Sequence, residues 1–171
     1  REQDPAFGGF HRLEYGLFKQ NTLDGLAPVA KKLAADVTEL KRQLLAQPLP
    51  PEQLVNIVSR NLRGLADIRT NGEEERYSHT DLNGFAANLE GARKVIDLLR
   101  PLLAKSAAEL LPGIDAAADE LAMQLASVRS GDGYQSYETV SAEQRQQIAA
   151  QAKALADALD GIDPALGLST L

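Results

Sequence analysis

Apolar residues return every three or four positions through most of this chain, a period that matches one face of an α-helix and not the two-residue alternation of a strand. Leu26, Val29, Ala30, Leu33, Val37, Leu40 and Leu44 make one such stripe, and Leu54, Val55, Val58, Leu62, Leu65 and Ile68 make a second. Leu82, Phe85, Leu89, Ala92, Val95, Ile96 and Leu99 follow, then Ile114, Ala118, Leu121, Leu125 and Val128. No segment alternates apolar and polar residues as a half-buried strand would.

Helix-punctuating residues separate the stripes. Asp4-Pro5 predicts a helix start, with a capping carboxylate and proline at the first helical position, and a short helix reaching Phe18. Asn21 to Gly25 is turn chemistry, Pro48-Leu49-Pro50-Pro51 stops the next helix, and Asn71-Gly72 ends the third. Ser78 or Thr80 is placed to cap the long helix after it, which Pro101 should kink or interrupt. After Pro112-Gly113 and the Gly131-Asp132-Gly133 turn, Ser141 with Gln144 predicts a capping box for a last helix fading near Gly161. Ala and Leu, strong helix formers, dominate the apolar set, and there is no Trp. The fold expected is all-α, an antiparallel helical bundle. With 171 residues, no short repeat and no low-complexity linker, the chain reads as a single domain, residues 1–171.

The formal net charge of −6, with no lysine or arginine stripe, argues against a nucleic-acid partner, whose backbone requires a basic surface. It suits cationic ligands, metal ions included, although mild acidity is also ordinary for soluble proteins. The absence of cysteine removes disulfides, thiolate metal sites and cysteine nucleophiles, so any metal must bind through oxygen and imidazole. No apolar run has the length of a membrane span, and no basic n-region with an apolar h-region opens the chain. Arg1-Glu2-Gln3-Asp4-Pro5 instead leads straight into a motif-rich helix, as expected if a signal peptide or further N-terminal sequence has been removed.

One of the two histidines lies in Gly9-Phe10-His11-Arg12-Leu13-Glu14. On a helix, positions three apart share a face, so His11 and Glu14 can reach one ion, as paired ligands do in helical-bundle metal sites. A bare pair at this spacing is commonly only a surface hydrogen bond. Phe7, Phe10, Leu13, Leu17 and Phe18 around it predict a face at least half buried, where an ionisable pair needs a partner. The acidic segment Glu73-Glu74-Glu75, followed by Tyr77, His79 and Asp81, is a second concentration of ligand-type side chains, with a solvated loop ahead of a helix as its plain reading. Asp36, Asn88 and Glu90 lie inside helices beside apolar positions, where a surface role is the commoner one. Catalytic signatures are missing: Arg12 and Tyr15 stand where a His-Glu-x-x-His motif would need its glutamate and second imidazole, and there is no phosphate loop or Gly-x-Ser-x-Gly elbow.

Gly9-Phe10-His11-Arg12-Leu13-Glu14-Tyr15 resembles the Gly-x-His-x-x-Glu signature of the imelysin-like family. Gly72 to Leu82, followed by Phe85, Asn88, Gly91 and Ala92, is similar to a second long motif of that family, and Leu98-Leu99-Arg100-Pro101 and Gly131-Asp132-Gly133-Tyr134 with Tyr137 fit it too. The resemblance covers nearly the whole chain. It implies a bundle of two helical halves and a non-enzymatic periplasmic or membrane-anchored protein of bacterial iron uptake, acting beside a ferrous-iron permease and a haem peroxidase-like partner. It implies a metal at His11 and Glu14, iron first, with zinc or copper also suited to mixed nitrogen and oxygen ligands. Glu73, Glu74, His79 and Asp81 are carried as further metal candidates. A metal-dependent peptidase and an acidic-polysaccharide (alginate) binding protein are the alternatives the family offers. Family domains carry further N-terminal helices, so the chain is expected to be the C-terminal portion of a larger domain, with apolar surface that the missing segment or a second copy would cover.

Overall fold

The structure is a computed structural model and describes residues 2–48, 50–68 and 74–167. It is all-α in class. The helices are α1 (Gly9–Glu14), α2 (Leu26–Leu45), α3 (Pro51–Ile68), α4 (Asp81–Ser106), α5 (Leu111–Ser127), α6 (Ala142–Asp160) and α7 (Ile162–Leu166). A π-helical turn, Tyr15–Lys19, continues α1, and a two-residue antiparallel hairpin pairs β1 (Arg129–Ser130) with β2 (Gly133–Tyr134) around the Gly131-Asp132 turn. Among the described residues that small ladder is the β pairing present, and the apolar pattern did not announce it because two residues are too few to show alternation.

Contacts divide the chain into two compact units, Arg1–Pro48 with Glu75–His79, and Leu49–Glu74 with Thr80–Leu171. In the second unit α3 packs on α4 and α6, and α5 on α4 and α6, so four long helices close a ring, with α7 against α3, α4 and α6. Polar contacts show the neighbours to be antiparallel. Along α3 and α6, Ser59 and Arg63 reach back to Asp160, and Arg63 also reaches Asp157 at 2.5 Å; along α4 and α5, Arg93 meets Asp119 at 2.7 Å and Arg100 meets Asp115 through both oxygens. These are partly solvated pairs that fix register more than they add stability. Hydrogen bonding to Asp115 raises the Arg100 pKa, and hydrogen bonding to Arg100 lowers that of Asp115.

The stripes read from the sequence become the core of this unit: Leu62, Leu82, Phe85 and Leu121 are all fully buried, joined by Leu103 and Leu155, which the stripes did not include. Pro101 neither ends nor interrupts α4, which runs unbroken to Ser106. Its missing N–H costs one helical hydrogen bond, and the buried Ile96, Leu99 and Leu103 on either side hold the helix in place. The capping box forms as expected: the Gln144 backbone N–H donates to Ser141 Oγ at 3.1 Å, and the Gln144 side-chain oxygen accepts from the Ser141 N–H. Thr80 stands at the start of α4 but makes no side-chain cap.

The first unit departs further from its sequence pattern. Asp4 caps only a local turn, accepting from the Ala6 N–H at 2.8 Å, and α1 begins at Gly9, whose φ of +66° a side-chain-bearing residue adopts only with strain. Within this unit α2 packs on α1, and Leu26 is its one buried apolar residue; Val37, Leu40 and Leu44, which the period marks as a core face, are exposed. Asp36 is likewise at the surface, paired with Lys32 at 2.5 Å. In the other unit, Asn88 donates to the Gly84 carbonyl, and Glu90 is exposed.

Truncating Phe85 leaves a cavity in the buried core of the bundle. Phe85→Ala should destabilise the folded chain by about 3–5 kcal/mol, read as a lowered urea midpoint with an unchanged slope.

Candidate functional site

Glu14 ends α1, and its carboxylate is the organising group of the first unit. Only 8% of its surface is exposed. Oε1 accepts from the Tyr77 backbone N–H at 2.8 Å, from the Ser78 backbone N–H at 2.9 Å and from the Ser78 hydroxyl at 3.0 Å. Oε2 lies 3.2 Å from His11 Nδ1, one helical turn earlier, and the imidazole is 41% exposed. Burial pushes the Glu14 carboxyl pKa up, but the Ser78, Tyr77 and His11 donors together outweigh it, and the net shift is downward.

Local structure explains why these groups meet. The Glu75–His79 segment turns tightly, with the His79 N–H donating to the Glu75 carbonyl at 2.8 Å and His79 at φ +55°, a left-handed conformation uncommon for a residue with a side chain. The Tyr77 ring sits edge-on to Tyr15 at 5.0 Å, and Tyr15 edge-on to Phe7 at 5.9 Å, while the Tyr77 hydroxyl donates to Glu2. The apolar shield is therefore not the one the flanking residues suggested. Phe10 is 70% exposed, and Leu17 and Phe18 also face solvent; Phe7, Tyr15 and Tyr77 supply the packing. The π-helical turn accounts for Leu17 and Phe18, because its wider winding alters their phase relative to α1; Phe10 lies in α1 itself, on its exposed side.

The chemistry of the pair fits a shared cation. Two ligands at about 2.1 Å from one ion and at right angles stand about 3.0 Å apart, close to the separation of His11 Nδ1 and Glu14 Oε2. Without an ion, the same geometry is a hydrogen bond from a protonated Nδ1. Among the described residues no three His, Asp or Glu side chains gather as a ligand set, so the pair itself offers two protein ligands.

The other sequence candidates fall in different places. Glu73 lies outside the described residues. Glu74 and His79 are half-buried, His79 in the segment that clamps Glu14 and Glu74 in the other compact unit. Asp81 is fully buried in the first turn of α4, where a carboxylate suits the helix N-terminus. Burial raises the Tyr137 hydroxyl pKa, with Arg145 opposing and the Asp81 charge assisting. Ser78, which the sequence cast as a helix cap, spends its hydroxyl on Glu14 instead, and no spacing rule connects positions 64 apart.

The site is thus a buried carboxylate held beside an imidazole, in an all-α chain without cysteine. The chain belongs to the imelysin family, whose sequence model, described as Imelysin (Peptidase_M75), matches residues 1–162. It is 39% identical over 165 residues to the iron uptake system component EfeO of Escherichia coli (strain K12), and equally to that of Shigella flexneri. The match covers 96% of this chain and 44% of each relative, so the chain spans less than half the length of these curated relatives. Among the described residues, no helix is long and apolar enough to cross a membrane.

The depressed Glu14 pKa carries a sign. Its stabilising contribution is complete above the ordinary carboxyl value and is lost as pH falls through the lower folded-state value. Protection of the Tyr77 and Ser78 amides, taken relative to the intrinsic exchange rate at each pH, should therefore fall on acidification. Glu14→Ala should abolish that protection at neutral pH and cost about 1–3 kcal/mol, the penalty of leaving buried donors unpaired. Protection at these two amides that is indifferent to both changes would contradict the assignment.

Proposed function

We propose that this chain is a metal-binding component of a bacterial periplasmic iron-uptake system, and that it holds iron through His11 Nδ1 and Glu14 Oε2. The observation that carries the reading is the 3.2 Å approach of these two ligand atoms from one helical face, with the carboxylate already buried, ionised and oriented. Desolvation and orientation of the ligand are thus met before an ion arrives. The EfeO relatives bear the name of an iron uptake system, which supports iron as the cargo; the periplasm is the location proposed with it. A ferrous-iron permease and a haem peroxidase-like protein are the partners proposed with it. Water, or groups beyond the described residues, completes the coordination shell.

Mixed imidazole and carboxylate ligands also accept zinc and copper, and intrinsic affinity rises toward Cu(II), so iron loading would follow from supply and not from raw affinity. Calorimetry of the purified chain with Fe(II), Fe(III), Zn(II) and Cu(II) tests the site. Wild type should bind one equivalent, and His11→Ala should lower affinity by about tenfold or more while the melting temperature stays within a few degrees. Equal affinity in the variant would sink the assignment.

The peptidase name attached to the family model supports a second reading, in which the same pair holds a hydrolytic metal. That reading expects casein hydrolysis that chelator and Glu14→Gln both abolish.

A further inference from the structure

We propose that the Ser78 clamp restricts Glu14 to one metal-binding oxygen, so that the site selects compact imidazole-accepting transition ions over calcium. This rests on the reading of His11 and Glu14 as cation ligands and adds to it the basis of ion choice. An ionised carboxylate has about four lone-pair positions across its two oxygens. Three donors converge on Oε1, from Tyr77 N–H, Ser78 N–H and the Ser78 hydroxyl, which closes that oxygen to a metal. Only Oε2, facing the imidazole, remains available.

Calcium is bound by six to eight oxygens and readily takes a carboxylate through both of its oxygens, whereas first-row transition ions accept fewer ligands and favour imidazole nitrogen. For calcium to engage both Glu14 oxygens, Oε1 would have to shed donors that are held in place. The segment carrying them is packed through Tyr77 on Tyr15, tied through the Tyr77 hydroxyl to Glu2, and closed by the hydrogen bond between the His79 N–H and the Glu75 carbonyl. A calcium ion would therefore meet a one-oxygen carboxylate and a nitrogen, the poorer half of its preferences, and a transition ion would meet the better half of its own.

The Ser78 hydroxyl is the one side-chain donor among the three, so it can be removed without altering the backbone. Affinities for Zn(II), Mn(II) and Ca(II) would be measured on wild type, Ser78→Ala and Ser78→Thr, with infrared carboxylate bands reporting one-oxygen or two-oxygen binding in each complex. Wild type should favour zinc and manganese over calcium with a one-oxygen band. Ser78→Ala should shift the calcium-to-zinc affinity ratio toward calcium by about tenfold, the scale of one hydrogen bond to a charged group, and Ser78→Thr should keep the wild-type ratio. A two-oxygen band in wild type with zinc, or an unchanged ratio in a folded Ser78→Ala, overturns the inference while leaving the metal reading intact. Failure of wild type to bind any of the three ions overturns the metal reading and this inference with it.

Discussion

A carboxylate cannot sit in a protein interior as an ion unless something replaces the water it gave up. Glu14 meets that condition with three donors on one oxygen and an imidazole on the other. The first compact unit, which lacks a large apolar core of its own, is assembled around this solution. The Glu75–His79 segment is bound to α1 by the carboxylate, and the aromatic contacts of Phe7, Tyr15 and Tyr77 close over the join. The second unit works by the opposite means, with four long helices burying Leu62, Phe85, Leu121 and Leu155 and leaving charged pairs at the rim.

That contrast decides how much was legible beforehand. In the second unit the stripes at three- and four-residue spacing are the core faces, because a helix in a ring of helices has little choice about which side it buries. The capping box at Ser141 was equally readable, since both partners sit within one turn. Boundaries in the first unit were not. Asp4-Pro5 has the form of a helix start, but Gly8-Gly9 lets the backbone take a conformation that delays α1. The stripe on α2 has a perfect helical period, and the described structure still leaves Val37, Leu40 and Leu44 in solvent, because periodicity shows which face is apolar and not whether a neighbour covers it.

The candidate site divides along the same line. His11 and Glu14 were visible as a pair because they lie on one turn of one helix. The clamp was invisible because backbone N–H groups have no letter in a sequence and Ser78 is 64 positions away. Phe10 and Phe18 misled for a related reason: an aromatic near a motif looks like shielding until its place on the helix is known, and both are exposed, Phe10 on α1 itself and Phe18 within the π turn. His79 and Asp81 were both marked from the density of ligand-type residues, and their surroundings give them different work, one in a strained turn and the other at a helix start.

The π-helical turn at Tyr15–Lys19 has a consequence for how this segment tolerates change in length. A π turn holds more residues than an α turn, so it behaves as an accommodated insertion, and excising one residue would let the backbone relax to ordinary winding. Relaxation would leave α1 and the chain beyond the turn in nearly their present phase, because the wider winding is what absorbs the extra residue. The close approach of Gly16 to Leu26, where even a Cβ would fall 2.7 Å from the leucine methyl, sets a stricter limit on side chains than on length. Substitution and deletion within positions 15–19 are thus unequal events: a side chain added at Gly16 must displace Leu26, whereas the loss of one residue is met by a return to plain helical winding.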